Sequence, residues 1–151
     1  MTDTLESFSA MLRDALGNRL DPNASSFIEM FHPNGVMEFP YAFGDMPKRL
    51  VGRDALAQHL AVLSRLITFD RMSKATVTET LDLDLVILEF EGFGTGVATG
   101  EPYDQRYLSI IRMQGRYIAH YKDYWNPLAA VRALYGSEGF SVLTKGEAHH
   151  G

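Results

Sequence analysis

The chain has 151 residues, 46% hydrophobic and 22% charged, with a net charge of −5 and a pI of about 5.5. That length and balance suit one domain around one core, and the acidic charge disfavours nucleic acid as a partner. The absence of cysteine excludes disulfides and thiol chemistry, and no apolar run approaches the ~18–20 residues of a membrane span.

The acidic start, Met1-Thr2-Asp3-Thr4-Leu5-Glu6, lacks the basic and apolar regions of a secretory signal. The expectation is a cytoplasmic protein with no membrane partner. One domain is expected over residues 1–140, followed by a flexible tail over 141–151. No function is given to the histidines of Ala148-His149-His150-Gly151.

Asp3, with Glu6 three residues on, has the spacing of a capping box. Leu5, Phe8, Leu12, Ala15 and Leu16 then recur at helical spacing, and Gly17-Asn18 can end that helix. Asp21-Pro22 reads as a second helix start, running to about Phe31 and burying Phe27, Met30 and Phe31. His32-Pro33-Asn34-Gly35 is a turn cluster, and residues 36–40 read as a short strand. Residues 41–51 read as a loop. Gly52-Arg53-Asp54 opens a third helix with an apolar stripe of Leu56, Leu60, Leu63 and Ile67.

The period then changes. Residues 72–80 are rich in threonine and valine, a strand signature. A turn at 81–84 leads to strands over 85–97, 103–113 and 116–125, the last two joined by a turn at Gln114-Gly115. Asn126-Pro127 caps a closing helix over 128–134, ended by Gly136. Three helices followed by an antiparallel meander predict an α+β domain. Strands this long must twist and coil. The reading is therefore a curved, cone-shaped mixed or antiparallel sheet wrapped around the three N-terminal helices, its interior a ligand site.

One carboxylate stands out. In Tyr117-Ile118-Ala119-His120-Tyr121-Lys122-Asp123-Tyr124-Trp125, strict alternation puts Tyr117, Ala119, Tyr121, Asp123 and Trp125 on one face. Ile118, His120, Lys122 and Tyr124 take the other. Asp123 is either an edge carboxylate paired to Arg116 or Arg106, or a pocket acid or base between Tyr121 and Trp125. Burial would raise its pKa. His59, on the stripe of the third helix, is either a core histidine bonded to backbone or a second acid/base group.

On the third long strand, Gln105, Tyr107, Ser109 and Ile111 share a face. Gln105 and Tyr107 are placed on the Asp123 side, with cross-strand packing as the alternative role. Tyr41 is a lining candidate in the 41–51 loop. Lys48 and Arg49 there either attract an anionic ligand or are solvated.

Gly92, Gly94, Gly96 and Gly100 do not fit G-x-G-x-x-G, because Val97 and Thr99 stand where the third glycine is needed. They are read as a sign of sheet curvature. His32, His59 and His120 are isolated, so no metal is called for. There is no G-x-S-x-G and no Walker loop, and no cofactor is called for.

Three stretches together carry a resemblance: Phe31-His32-Pro33-Asn34-Gly35-Val36-Met37-Glu38-Phe39-Pro40-Tyr41, Lys48-Arg49-Leu50-Val51-Gly52-Arg53-Asp54-Ala55-Leu56, and Tyr121-Lys122-Asp123-Tyr124-Trp125-Asn126-Pro127-Leu128. Over about residues 5–135 the chain resembles the nuclear-transport-factor-2-like superfamily. Within it, the likeness is to the SnoaL-like and ketosteroid-isomerase-like branch, of the PhzA/PhzB type. The resemblance implies a cystatin-like, cone-shaped α+β barrel, a homodimer and an apolar pocket with few acid/base groups.

Asp123 matches the late-strand aspartate of the polyketide cyclases of this type. The phenazine proteins carry a glutamate there. His59 is set against a helix histidine of the same family. The implied function is a small cofactor-free enzyme taking a cyclic or polyketide-like carbonyl compound through isomerisation, cyclisation or condensation. Asp123 would move the proton and His59 would assist. Tyr41, Gln105, Tyr107, Tyr121 and Trp125 would shape the pocket. The alternatives are a non-catalytic binder of small hydrophobic or aromatic molecules, and a structural dimerisation module. The homodimer face is expected at Ile118, His120 and Tyr124, with Leu108 and Ile110 beside them.

Overall fold

The computed structural model describes residues 4–5 and 7–149. Strand β1 is Thr4–Leu5, and helix α1 is Phe8–Leu16, followed by one 3₁₀ turn. The proposed cap at Asp3 and Glu6 lies outside the described residues. Ser7 caps α1 instead, its hydroxyl accepting from the Ala10 N–H at 3.1 Å. Leu5, assigned to this helix from its spacing, pairs in a sheet with Met72.

The second helix is much shorter than predicted. Helix α2 is Phe27–Met30, opened by a capping box of Ser26 and Glu29. Asp21 begins no helix, although its carboxylate accepts from the Asn23 N–H as a cap would and from the Tyr117 hydroxyl. The expected turn at His32–Gly35 lies inside strand β2, Phe31–Glu38. Its register slips between Phe31 and Val36, so the turn residues occupy an irregular stretch of strand.

Strand β3 is Arg49–Val51 and helix α3 is Arg53–Leu66. The predicted strand over 72–80 resolves into β4, Ile67–Ser73, and β5, Thr76–Glu79. Strands β6, Leu85–Gly96, β7, Pro102–Gln114, and β8, Tyr117–Trp125, are the long ones. The β7–β8 turn is one residue later than predicted. Gly115 and Arg116, both at positive φ (56° and 71°), form it. Helix α4, Pro127–His149, is kinked at Gly136 (φ 82°, ψ 174°), where the closing helix was expected to end.

Among the described residues these strands form one mixed sheet in the order β1-β4-β6-β7-β8-β2-β3, with β5 also on β6. Its ends, β1 and β3, do not pair. The predicted cystatin-like barrel, a cone wrapped around three N-terminal helices, is therefore wrong. The sheet is open, β2 and β8 run parallel rather than in a meander, and β2 and β3 precede α3 in the chain. Local pattern cannot register a parallel pairing made across about 80 residues of chain.

The alternate glycines of β6 mark close approaches. A methyl on Gly94 would lie 2.3 Å from the Thr68 carbonyl oxygen, and one on Gly96 would lie 2.0 Å from that of Ala133. One sheet face is covered by the helices. Met11, Leu12 and Leu16 of α1 bury against Val86, Leu88, Ile111 and Tyr121. A smaller cluster of Ile67, Tyr103, Ala130 and Ala133 sits under α4. Trp125 packs against both. Among the described residues no helix is long and apolar enough to cross a membrane.

Candidate functional site

The buried sheet face is built by alternation. β7 contributes Tyr103, Gln105, Tyr107, Ser109 and Ile111, all buried. Across the ladder Ser109 pairs with Asp123, Tyr107 with Trp125 and Ile111 with Tyr121. Asp123 is 7% exposed, and its Oδ1 is fully buried with no hydrogen-bond partner. Among the described residues no arginine forms a salt bridge with it. Arg106 points to the opposite face, 4.0 Å from Glu91. With no cation to offset desolvation, burial pushes the Asp123 carboxyl up to about 8, so it is mostly protonated at neutral pH.

Phenols surround this acid. The Tyr121 hydroxyl is 2.8 Å from the Ser109 hydroxyl, and its ring packs among Phe8, Phe27 and Phe31. Burial, and after it the Asp123 carboxylate, hold the Tyr121 phenol well above its ordinary pKa. Tyr107 is also raised, first by burial and then by Tyr103 and Asp123. Its ring stacks on Phe90 at 4.9 Å.

Gln105 orders these phenols. Its Oε1 accepts from the backbone N–H groups of Asn126 (2.7 Å) and Arg106 (3.0 Å). That fixes the amide, so Nε2 donates to the Asn126 carbonyl (3.0 Å) and to the Tyr103 hydroxyl (3.2 Å). The Tyr103 hydroxyl also lies 3.4 Å from the Tyr107 hydroxyl, a contact in which either oxygen can donate.

Residues 10–121 match the SnoaL-like domain. The chain belongs to the SnoaL-like family. The protein YesE of Bacillus subtilis is 36% identical over 126 residues, 83% of this chain and 86% of that one. A PhzA/B-like protein of Pseudomonas aeruginosa is 36% identical over 82% of this chain and 87% of its own length. The crystal structure of a candidate isomerase from Bacillus subtilis superposes with a TM-score of 0.72 at 35% identity, covering 84% of this chain and 91% of that one. This SnoaL-like chain thus has the nuclear-transport-factor-2-like fold.

The SnoaL-like chain brings Asp123, Gln105, Tyr107, Tyr121 and Trp125 to one sheet face. Tyr41 and His59 are not part of that group. Tyr41 is exposed and packs on Tyr124, with ring centroids 5.5 Å apart, so it meets the outer side of β8. His59 is half-buried against Phe39 at 5.0 Å, and burial lowers its pKa. Its helix packs on β2, β3 and β4. Among the described residues no hydrogen bond joins His59 to Asp123. Lys48 and Arg49 are exposed.

Ile118, assigned to the outer face, is wholly buried. The register slips at Arg112 and Met113, which pair with His120 and Ile118, so Ala119 is an extra residue and the alternation breaks there. Tyr103 and Ser109 belong to the polar group but were not singled out as site residues. Both share the parity of Gln105 and Tyr107, and that was the available signal.

Among the described residues, clefts reach the surface at two places near this group. One, of about 780 Å³, runs over the outer sheet face against Glu89, Glu91, Arg106, Leu108 and Tyr124, and also touches Phe90, Tyr107 and Trp125 of the candidate site. The other, of about 560 Å³, is apolar and lies between Tyr41 and Phe43 on one side and α4 on the other. Neither is lined by Asp123.

Proposed function

We propose that this protein is an enzyme that moves a proton on a hydrophobic cyclic or polyketide-like carbonyl compound, with isomerisation or cyclisation through an enol as the reaction class. The observation that supports it most is the unpaired Asp123 Oδ1 in an aromatic enclosure. A buried carboxyl without a partner is costly to fold around, and a titration point near 8 suits a general base at mildly alkaline pH. The candidate isomerase of Bacillus subtilis is consistent with the same class.

In this reading the ionised Asp123 takes a proton from the carbon next to the carbonyl. The electron pair of the C–H bond becomes the enol double bond, and the carbonyl oxygen gains the negative charge. The Tyr107 hydroxyl, released from Tyr103, donates a hydrogen bond to that oxygen. Asp123 then returns its proton to carbon, at a second position for isomerisation. Tyr121 and Trp125 shape the enclosure.

The test is deuterium uptake from heavy water into a panel of enolisable cyclic ketones and 1,3-diketones, followed by NMR. Wild type should exchange α-protons at a rate that rises through about pH 8. Asp123→Asn should lose about 10²-fold or more. Equal exchange by wild type and Asp123→Asn defeats the proposal.

A second reading is a non-catalytic binder of small hydrophobic molecules. The observation favouring it is that Asp123 has no second acid or base in hydrogen-bond contact. Ligand binding with no exchange across the same panel would select it. A homodimer is proposed on the resemblance, and light scattering would test it.

A further inference from the structure

The buried acid stands two residues from Trp125, and Trp125 packs against the wall of an apolar cleft. Trp125 follows Asp123 by two residues on the same strand face, so its Cβ lies roughly 7 Å further along the strand. It is half-buried and is the chain's single tryptophan. Its ring meets that of Phe43 edge-on, with centroids 6.3 Å apart. Phe43 is in turn a wall of the apolar cleft of about 560 Å³, whose other walls include Leu128, Val131 and Tyr135 of α4. Leu128 and Tyr135 are 43% and 64% exposed, and Tyr41 at the rim is 54% exposed. Large apolar side chains left wet around one concavity mark a binding surface.

The loop that carries Tyr41 and Phe43 is held at its base. The Phe39 N–H donates to the Lys48 carbonyl at 2.9 Å, and the Met46 N–H donates to the Phe43 carbonyl. Phe43 is thus presented by a closed loop rather than by a free strand. No charged side chain lines the cleft.

We propose that this cleft, between the 40–47 loop and the first turns of α4, binds the hydrophobic portion of the ligand, an alkyl or aryl group of a neutral ketone, with Phe43 as the wall that separates it from Trp125 and the Asp123 enclosure. The inference rests on the reading of Asp123 as the proton-transfer group. It defines the substrate class further: the reactive carbonyl must carry an uncharged apolar substituent long enough to span from the enclosure past Trp125.

The probe is methyl octyl ketone, whose carbonyl quenches indole emission on contact. Trp125 emission in wild type should show a saturable quenching component. Leu128→Glu and Tyr135→Glu place a charge in the cleft at positions exposed enough to leave folding intact. Each should weaken the apparent affinity by about 10-fold or more. Leu108→Glu, in the outer-face cleft, should leave it unchanged. Linear, unsaturable quenching of wild type overturns the proposal. So does unaltered affinity in both α4 variants, or loss of affinity in Leu108→Glu. Saturable binding of the ketone with no deuterium uptake would defeat the proton-transfer reading and leave the cleft as a ligand site.

Discussion

Ser109 faces Asp123 directly across the β7–β8 ladder, yet its hydroxyl turns to Tyr121, 2.8 Å away, and leaves Asp123 Oδ1 unpartnered. The hydroxyl of its cross-strand partner is thus engaged elsewhere. The acid is destabilised in its charged form by its surroundings alone.

That arrangement predicts a pH-dependent stability. The Asp123 carboxyl titrates near 3.8 when unfolded and near 8 when folded. Between those values the folded state holds a proton that the unfolded state has lost. The contribution to stability is therefore full at acid pH and is lost as pH rises from about 4 to 8. The steepest slope for one group is ~1.4 kcal/mol per pH unit. Asp123→Asn removes this component, so the variant should gain on wild type as pH rises and level off above about 8. Urea denaturation across roughly pH 5 to 9 reads the difference. Parallel profiles for the two proteins would rule out a raised Asp123.

Gln105 should matter more for structure than its polarity implies. Gln105→Leu strands the N–H and C=O of Asn126, the Arg106 N–H and the Tyr103 hydroxyl, all partners of one buried amide. A loss on the order of 3 kcal/mol is expected. Amide exchange at Asn126 should also accelerate more than at strand β6. A variant with wild-type stability and unchanged exchange would show that the amide is dispensable.

Gly96 and Gly100 separate space from backbone strain. A methyl at Gly96 would overlap the Ala133 carbonyl, which already accepts from the Thr99 hydroxyl at 2.6 Å. Gly96→Ala should cost about 3 kcal/mol and loosen α4 from the sheet. Gly100 has φ +73° but open space around it, so Gly100→Ala should cost only about 1 kcal/mol. Thermal unfolding of the two variants should rank them in that order, and the reverse ranking would refute the packing argument.

The turn at Gly115 and Arg116 offers a stabilising change. Arg116 has φ 71°, the left-handed region that asparagine tolerates better than arginine. Its carbonyl accepts from the Asp21 N–H, a main-chain bond that substitution keeps. Arg116→Asn should raise stability by roughly 0.5 kcal/mol. A lower melting temperature would contradict it.

The legible parts of this chain were those decided by neighbours in sequence. The alternation in β7 placed Gln105, Tyr107 and Ser109 together, and the same period in β8 placed Tyr121, Asp123 and Trp125 together. The assignment failed at Ile118 because a single bulged residue, Ala119, reverses every face before it. Asp21-Pro22 had every local mark of a helix start. Its carboxylate does cap the Asn23 N–H, but only a single turn follows and the helix does not propagate.

The sequence alone determined the α+β composition, the long strands and the acid between two aromatics, because side-chain period and turn chemistry are properties of adjacent residues. Only the tertiary structure decided that the sheet stays open. That outcome depends on the parallel pairing of β2 with β8 and on β1 and β3 remaining apart. It also decided the state of Asp123. Its carboxyl lies among the phenols of β7 and β8, and desolvation is the sum of everything packed around a group rather than of what stands beside it in sequence.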